Sequence, residues 1–316
     1  MDNSTLTSLI GAPVKAGERL ARHCSWRVGG PAEYFVAAKT VEVLKRAVQV
    51  ARAVALPYRV IGRGTNILFA DTGVRGLLIV TACDHHRLTA QSDAAILYAE
   101  AGASLPLLAN TLAKQGWAGL EWAVGIPSAM GSAIVNNAGA HGSCIADVIQ
   151  QARIIDGEGR EITLTASEMQ FAYRQSRFKG SREVILSAEF LLKRDSLEAV
   201  GERLRRFNDY RRATQPSDPS AGSVFKNPPG YYAGALIEAA GLKGAQVGGA
   251  MVSPVHANFF VNTGAASAHD LLRLIRLAQE RVAERSGVRL EPEIEFVGEW
   301  GELIPAPAER PFDHAA

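Results

Sequence analysis

The sequence predicts an α+β fold of two or three domains assembled around two glycine-rich segments suited to holding an anion. Three observations carry this. The chain has 316 residues, 47% hydrophobic and 21% charged, enough to bury a large core. Short apolar runs bounded by glycine or proline alternate with helical patterns along the chain. The stretch Val60-Ile61-Gly62-Arg63-Gly64-Thr65-Asn66-Ile67-Leu68-Phe69 joins two apolar runs through two glycines. Such glycines permit positive φ and bring backbone N–H groups close to a ligand, and successive N–H groups facing one hollow bind phosphate. A plain turn between strands has the same composition, so this stretch alone leaves both readings open.

Charge and composition exclude several classes. A net charge of +2 does not argue for nucleic acid. The basic run from Arg203 to Arg212 is broken by Leu204, Phe207 and Tyr210 and reads as the solvated face of an amphipathic helix. Cys24, Cys83 and Cys144 are odd in number and widely spaced, which fits reduced thiols in the cytoplasm and neither disulfides nor a metal site. Met1 to Leu20 lacks the apolar core of a signal peptide, and no apolar run is long enough for a membrane helix. The tail from Pro305 to Ala316 is expected to fray. The oligomeric state is not readable, and a monomer is compatible with every feature.

Taken in order, Gly29-Gly30-Pro31 bends the chain into a strand at Tyr34 to Ala37. Thr40 caps a helix through Ala53 with Leu44, Ala47, Val48 and Ala51 inward, and the strand Tyr58 to Ile61 then enters the glycine loop. Strands are predicted at Leu77 to Val80 and Ala95 to Ala99, followed by a helix from Leu105 closed by Gly116. The second glycine-rich segment runs from Gly125 to Ala140. Pro127 suits the first turn of a helix lined by Ala, Gly and Ser, whose free N–H groups would form another anion site. Close packing of that helix on a sheet would select the same small residues.

Strands at Ala152 to Ile155 and Glu161 to Leu164 form a hairpin, and Phe171 to Lys179 is aromatic and basic without a period. After a strand at Val184 to Leu192, a helix spans Ser196 to Arg212 with Leu197, Val200, Leu204 and Phe207 inward. A boundary is placed near residue 213. Beyond it come a helix from Ala233 to Ala240, a strand from Ala257 to Val261 and a helix opened by the Ser267/Asp270 capping box. A last strand spans Leu290 to Phe296, where Glu293 sits between Pro292 and Ile294 in surroundings expected to be apolar and to raise its proton affinity. The predicted units are residues 1–82, 83–212 and 213–316.

Six stretches carry a family resemblance: Arg27-Val28-Gly29-Gly30-Pro31-Ala32; Gly62 to Asn66; Gly125-Ile126-Pro127 with Asn136-Asn137-Ala138-Gly139-Ala140; Tyr173-Arg174-Gln175-Ser176-Arg177-Phe178; Gly222-Ser223-Val224-Phe225-Lys226-Asn227-Pro228; and Leu290-Glu291-Pro292-Glu293-Ile294. In this order the chain resembles UDP-N-acetylenolpyruvoylglucosamine reductase. The resemblance implies a two-lobed FAD-binding domain of the vanillyl-alcohol-oxidase (PCMH) type, with lobes at 1–82 and 83–212, followed by a substrate domain. The chain looks like the subtype without a long tyrosine-bearing loop, since only Gly180-Ser181-Arg182-Glu183 separates Lys179 from the next strand. Gln215, where the longer subtype carries a lysine, points the same way. Cys24 replaces a small hydroxyl residue expected in the first motif.

The resemblance also implies the chemistry. NADPH reduces non-covalently bound FAD, and hydride then passes to the enolpyruvyl group of a UDP-sugar, in cytoplasmic peptidoglycan precursor synthesis. Arg174, Ser223 and Glu293 are the implied catalytic residues: a guanidinium for the developing negative charge, a proton donor, and a protonated carboxyl as second electrophile. FAD is expected on Gly62, Arg63, Gly64, Thr65, Asn66, Gly125, Ile126, Pro127, Ser128, Gly131, Ser132, Asn136, Ala138 and Gly139. Tyr173, Arg177, Lys226 and Asn227 are expected to contact substrate, with Lys226 either assisting Ser223 or binding the diphosphate. His256 and Asn258 are expected to be structural. The rival readings are another flavoenzyme of the same fold, often tethering flavin through histidine, and a non-catalytic nucleotide-binding module. The nearest histidines, His85 and His86, fall in a polar connection. A nicotinamide Rossmann enzyme fits poorly, because the Gly62 loop lacks a third glycine and a following helix.

Overall fold

Val74–Thr81 is an almost unbroken apolar run, and it lies inside a four-stranded sheet rather than at an edge. The computed structural model describes residues 2–301, so the tail expected to fray lies outside the described residues. The strand order is Val14–Arg19, Pro31–Ala38, Val74–Thr81, Tyr58–Ile61, antiparallel at the first pair and parallel at the other two. Parallel strands covered on both faces select continuous apolar sequence. Alternation along the strands then divides them between two cores. Val36, Leu77 and Ile79 face one core, and Phe35, Leu78 and Ile61 face the other.

The helices are α1 (Asn3–Ile10), α2 (Val41–Ala53), α3 (Leu105–Ala113), α4 (Met130–Val135), α5 (Leu197–Thr214), α6 (Ala233–Ala239) and α7 (Ala268–Ser286). The first core joins α1 and α2 to a second, antiparallel sheet and to α3 and α4. In that sheet the order is Glu161–Thr165, Ile149–Ile155, Val184–Arg194, Ala94–Glu100, His86–Ala90, and Trp117–Ala118 also pairs with Val184–Arg194. The α2 helix forms as its sequence requires: Thr40 Oγ1 accepts from Val43 N, and Leu44, Ala47, Val48 and Ala51 are buried. Arg52 near its end ties it to the second sheet, donating to the carbonyls of Asp156 and Arg182 at 3.1 and 3.0 Å.

The second core joins the opposite face of the first sheet to the C-terminal part of the chain. There the antiparallel strands Ser220–Ser223, Phe259–Asn262, Ala250–Val252 and Gln246–Val247 are ordered in a third sheet, with buried side chains of α6 and α7 in the same core. The chain then returns: Glu295–Val297 pairs in parallel with Ile67–Phe69, directly after the glycine loop. Asp71 adds a second tie. Its two carboxylate oxygens accept from Ala268 N and His269 N, each at 3.0 Å, while Ser267 Oγ takes Asp270 N. Three N–H groups that a helix start leaves orphaned are thus satisfied, two of them by a residue remote in sequence.

Several elements differ from expectation. The strand Val14–Arg19 and helix α1 lack a strong period and are not read from the sequence. Helix α4 starts at Met130, three residues after Pro127, and has six residues. Leu197 is 63% exposed rather than inward, since it begins α5 at the surface. His86 opens a strand, and the strand expected from Ala257 begins at Phe259. The final strand is only Glu295–Val297, so Glu293 precedes it in an irregular segment held by a bridge between Phe225 and Pro292.

Replacing Asp71 by Ala removes both acceptors from the start of α7. Urea unfolding is expected to show a loss of about 1–2 kcal/mol, with Asp71→Asn losing less because one oxygen remains. Equal stability of all three proteins would contradict this assignment.

Candidate active site

The Gly62–Asn66 loop leaves the end of Tyr58–Ile61 with its backbone donors open. Among the described residues, the N–H groups of Arg63, Gly64, Thr65 and Asn66 have no hydrogen-bond acceptor. Gly64 has φ 62°, and a Cβ there would lie 1.8 Å from the carbonyl oxygen of His23, so only glycine fits. His23 therefore abuts the loop through its backbone, although it is distant in sequence and His85 and His86 were the nearest expected histidines. Its ring turns to Glu18, 3.0 Å away, and does not enter the cleft wall.

The second glycine segment meets this loop directly. A Cβ on Gly62 would fall 2.2 Å from Ser132 Oγ of α4, so the two segments touch there and a side chain would have to displace that hydroxyl. The expectation of free N–H groups at the start of α4 is corrected for its first two residues. Met130 N donates to Ala103 O at 2.9 Å and Gly131 N to Ala101 O at 2.8 Å, so packing against the 101–103 segment occupies these two, while Ser132 N has no acceptor among the described residues. What α4 offers instead is Asn136: its Nδ2 donates to Ser132 O, but its Oδ1 is buried without a partner in the cleft wall.

Between the two segments lies a cleft of about 520 Å³. Its wall includes Gly62, Arg63, Gly64, Thr65, Asn66, Ile126, Pro127, Ser128, Gly131, Ser132, Asn136, Ala138 and Gly139. The same wall includes Arg174, Ser223 and Glu293. Arg174 sits at the corner of a tight turn in which Ala172 and Gln175 exchange two backbone hydrogen bonds of 3.1 Å. Its φ of 55° is the left-handed conformation that a long side chain rarely adopts. The turn is over-determined: Asn137 Nδ2 donates to Ala172 O, Ser176 Oγ to Val135 O and Lys179 Nζ to Arg174 O. The guanidinium donates from Nη1 to Gly139 O and lies with Nε 2.7 Å from Glu293 Oε1. That approach is an ion pair with an angle unsuited to a hydrogen bond, and Nε has no other partner.

Glu293 is therefore not in the apolar surroundings expected for it, since a cation faces it. It is fixed from two sides. Asn66 Nδ2 donates to its carbonyl at 3.1 Å, and its N–H donates to Val224 O at 2.8 Å. The latter bond places it beside Ser223, which ends a strand and follows Gly222 at φ 75°. Asn258, buried, accepts from Phe225 N and donates to Phe225 O, locking the same segment. His256 accepts from Asn258 N, and burial pushes its imidazole below the ordinary value. Both side chains are thus engaged within the protein.

Other expected residues lie off the wall. Arg177 is held by Glu183 at 2.6 Å, Lys226 pairs with Glu291, and Asn227 Oδ1 accepts from Ala233 N at the start of α6. Tyr173 is exposed beside Arg174. Gly125, at φ 72°, leaves room for Arg211, whose Nε would be 2.9 Å from a Cβ there. Cys24 is buried and donates to Ile67 O, and burial pushes its thiol up. The sequence reading missed Arg211, Arg59 and Glu295 in the cleft wall. Arg211 was legible: the inward stripe Val200, Leu204, Phe207 continues to it at helical spacing.

The residues present fit FAD. Open N–H groups on the Gly62 loop suit a diphosphate, and the orphaned Asn136 oxygen supplies an acceptor in the same wall. Residues 32–165 match the family described as an FAD binding domain, and residues 215–297 match UDP-N-acetylenolpyruvoylglucosamine reductase, C-terminal domain. The chain is 41% identical to UDP-N-acetylenolpyruvoylglucosamine reductase of Halalkalibacterium halodurans, across 93% of this chain and 98% of that one. Against the enzyme of the same name from Rubrobacter xylanophilus the identity is 44%, across 95% and 100%. The crystal structure of UDP-N-acetylenolpyruvylglucosamine reductase from Thermus caldophilus superposes with a TM-score of 0.77 at 35% identity, covering 90% of this chain and 98% of that one. Agreement of this extent in sequence, domain order and fold shows that the chain belongs to the UDP-N-acetylenolpyruvoylglucosamine reductase family.

Proposed function

We propose that Arg174, Ser223 and Glu293 carry out the reduction of UDP-N-acetylglucosamine enolpyruvate to UDP-N-acetylmuramate in this cleft. The chain is an FAD-dependent, NADPH-using oxidoreductase of peptidoglycan precursor synthesis. One observation supports the site above all. A guanidinium, a carboxyl and a hydroxyl from three distant stretches share one wall with the open N–H groups of the Gly62 loop.

The chemistry that FAD supplies when bound is hydride exchange between NADPH and the terminal methylene carbon of the enolpyruvyl group. Negative charge then develops on the adjacent carbon and its carboxylate. Arg174, preorganised by its strained turn, takes that carboxylate through a planar fork, drawing its Nε away from Glu293. Glu293, in its protonated form, donates to the enolate oxygen, since an ionised carboxylate would repel it. Ser223 delivers a proton to the carbon. A hydroxyl is a weak acid, so a nearby cation must assist it. Lys226 would have to leave Glu291 to do so.

Tyr173, exposed beside Arg174, and Lys226 are the proposed substrate contacts at the rim, while Arg177 and Asn227 hold the segments that carry them. Residues 1–82, 83–212 and 213–316 are the proposed lobes and substrate domain. The proposed compartment is the cytoplasm, in keeping with three free cysteines. The reading needs a single chain, because all proposed catalytic groups come from one polypeptide.

For Ser223→Ala, hydride transfer from NADPH to flavin is expected to persist in stopped-flow traces. Reoxidation by the enolpyruvyl substrate is expected to slow about 100-fold or more, the usual scale of general acid catalysis. Near-normal reoxidation removes Ser223 from the role. Arg174→Lys keeps the charge but loses the fork, and turnover with the sugar nucleotide is expected to fall at least about tenfold. Unchanged steady-state kinetics would show that bidentate contact is not used.

A further inference from the structure

Of the three partly buried arginines in the cleft wall, Arg59, Arg174 and Arg211, only Arg211 has no side-chain partner among the described residues, and the mechanism above does not use it. Arg59 pairs with Glu295 at 2.5 Å and Arg174 with Glu293 at 2.7 Å, while the other two wall arginines, Arg63 and Arg182, are exposed. Arg211 lies in the last turn of α5, half-buried, and its side chain makes no hydrogen bond or ion pair among the described residues. Its guanidinium rests against the backbone of Gly125, next to Ile126, Pro127 and Ser128 of the cleft wall. A side chain at position 125 would collide with it. Burial pushes the guanidinium below its ordinary value, because it has left water without gaining an anion.

Arg206 adds a second positive charge beside His141. His141 stacks on Phe207 at 4.2 Å with Tyr210 edge-on at 5.5 Å. Burial, and then the charges of Arg211 and Arg206, hold the His141 imidazole below its ordinary value, which favours its neutral form. A cation removed from water is costly unless an anion meets it. Phosphate matches the planar donor fork of arginine. We infer that Arg211 is a phosphate-binding residue of the cleft, taking one phosphate of a bound nucleotide diphosphate against the 125–128 segment. The inference rests on the functional reading above, which brings three such nucleotides to the protein: FAD, NADPH and the UDP-sugar.

The test uses the holoenzyme and the variants Arg211→Gln and Arg211→Lys. Three arms separate the sources: retention of FAD through gel filtration, KM for NADPH, and binding of UDP-N-acetylmuramate read from the flavin spectrum. Arg211→Gln is expected to weaken one arm about tenfold to a hundredfold, the scale of a hydrogen bond to a charged group. Arg211→Lys is expected to recover part of that loss in the same arm. A purely structural role would lower the melting temperature and leave all three arms alone. If Arg211→Gln fails to fold, Arg211→Lys decides by a smaller loss in the same single arm. Variants that match the unsubstituted enzyme in every arm overturn the inference. An unsubstituted enzyme that ignores the sugar nucleotide instead defeats the functional reading, and the FAD arm still decides Arg211.

Discussion

The return of the chain at Glu295–Val297 onto Ile67–Phe69 is the contact on which the site depends. It is a short parallel ladder, but it begins where the glycine loop ends. Glu295 N donates to Asn66 O, Asn66 Nδ2 donates to Glu293 O, and Arg59 pairs with Glu295. The last residue of the cofactor loop and the proposed acidic residue are thereby joined by direct bonds. The same segment reaches Val224 through Glu293 N, which brings Ser223 to the wall. Without this return, the C-terminal part would carry its polar residues on a separate surface. Asp71, capping α7, reinforces the tie a few residues further on.

The first sheet explains why the arrangement is rigid. Its inner strands are buried on both faces, so neither core can shift without moving the other. On that base the protein maintains a strained turn at Arg174, held by Asn137, Ser176 and Lys179. Strain of this kind persists only where surrounding bonds over-determine it, and it presents a guanidinium in one orientation. Glu293 faces that guanidinium as its counter-charge, and in the proposed mechanism a carboxylate of the substrate replaces it.

Much of this was legible in the sequence. Helix α2 and its cap, the capping box of α7, and the interior strands follow from short-range periodicity and end signals, which act within a few residues. The Gly62 loop and the residues Arg174, Ser223 and Glu293 were legible as motifs, and the cleft brings them together. What escaped depends on long-range partners. Pro127 resembles a helix start, yet packing against the 101–103 segment sets the start of α4 at Met130 and takes up its first two N–H groups. Glu293 resembles a carboxyl among apolar neighbours, yet Arg174 arrives from a turn far away in sequence. Arg211 was read with a basic run whose members Arg205, Arg206 and Arg212 do face solvent, although its place on the inward stripe sets it apart from them.

The central claim is that one cleft passes hydride from NADPH, through FAD, to an enolpyruvyl sugar nucleotide. An anaerobic titration of the purified holoenzyme, followed by flavin absorbance, tests it most directly. The account predicts yellow protein that is bleached by NADPH and recoloured by UDP-N-acetylglucosamine enolpyruvate in equimolar amount. Colourless protein that cannot be reconstituted with FAD, or reduced protein that the sugar nucleotide leaves bleached, would contradict it.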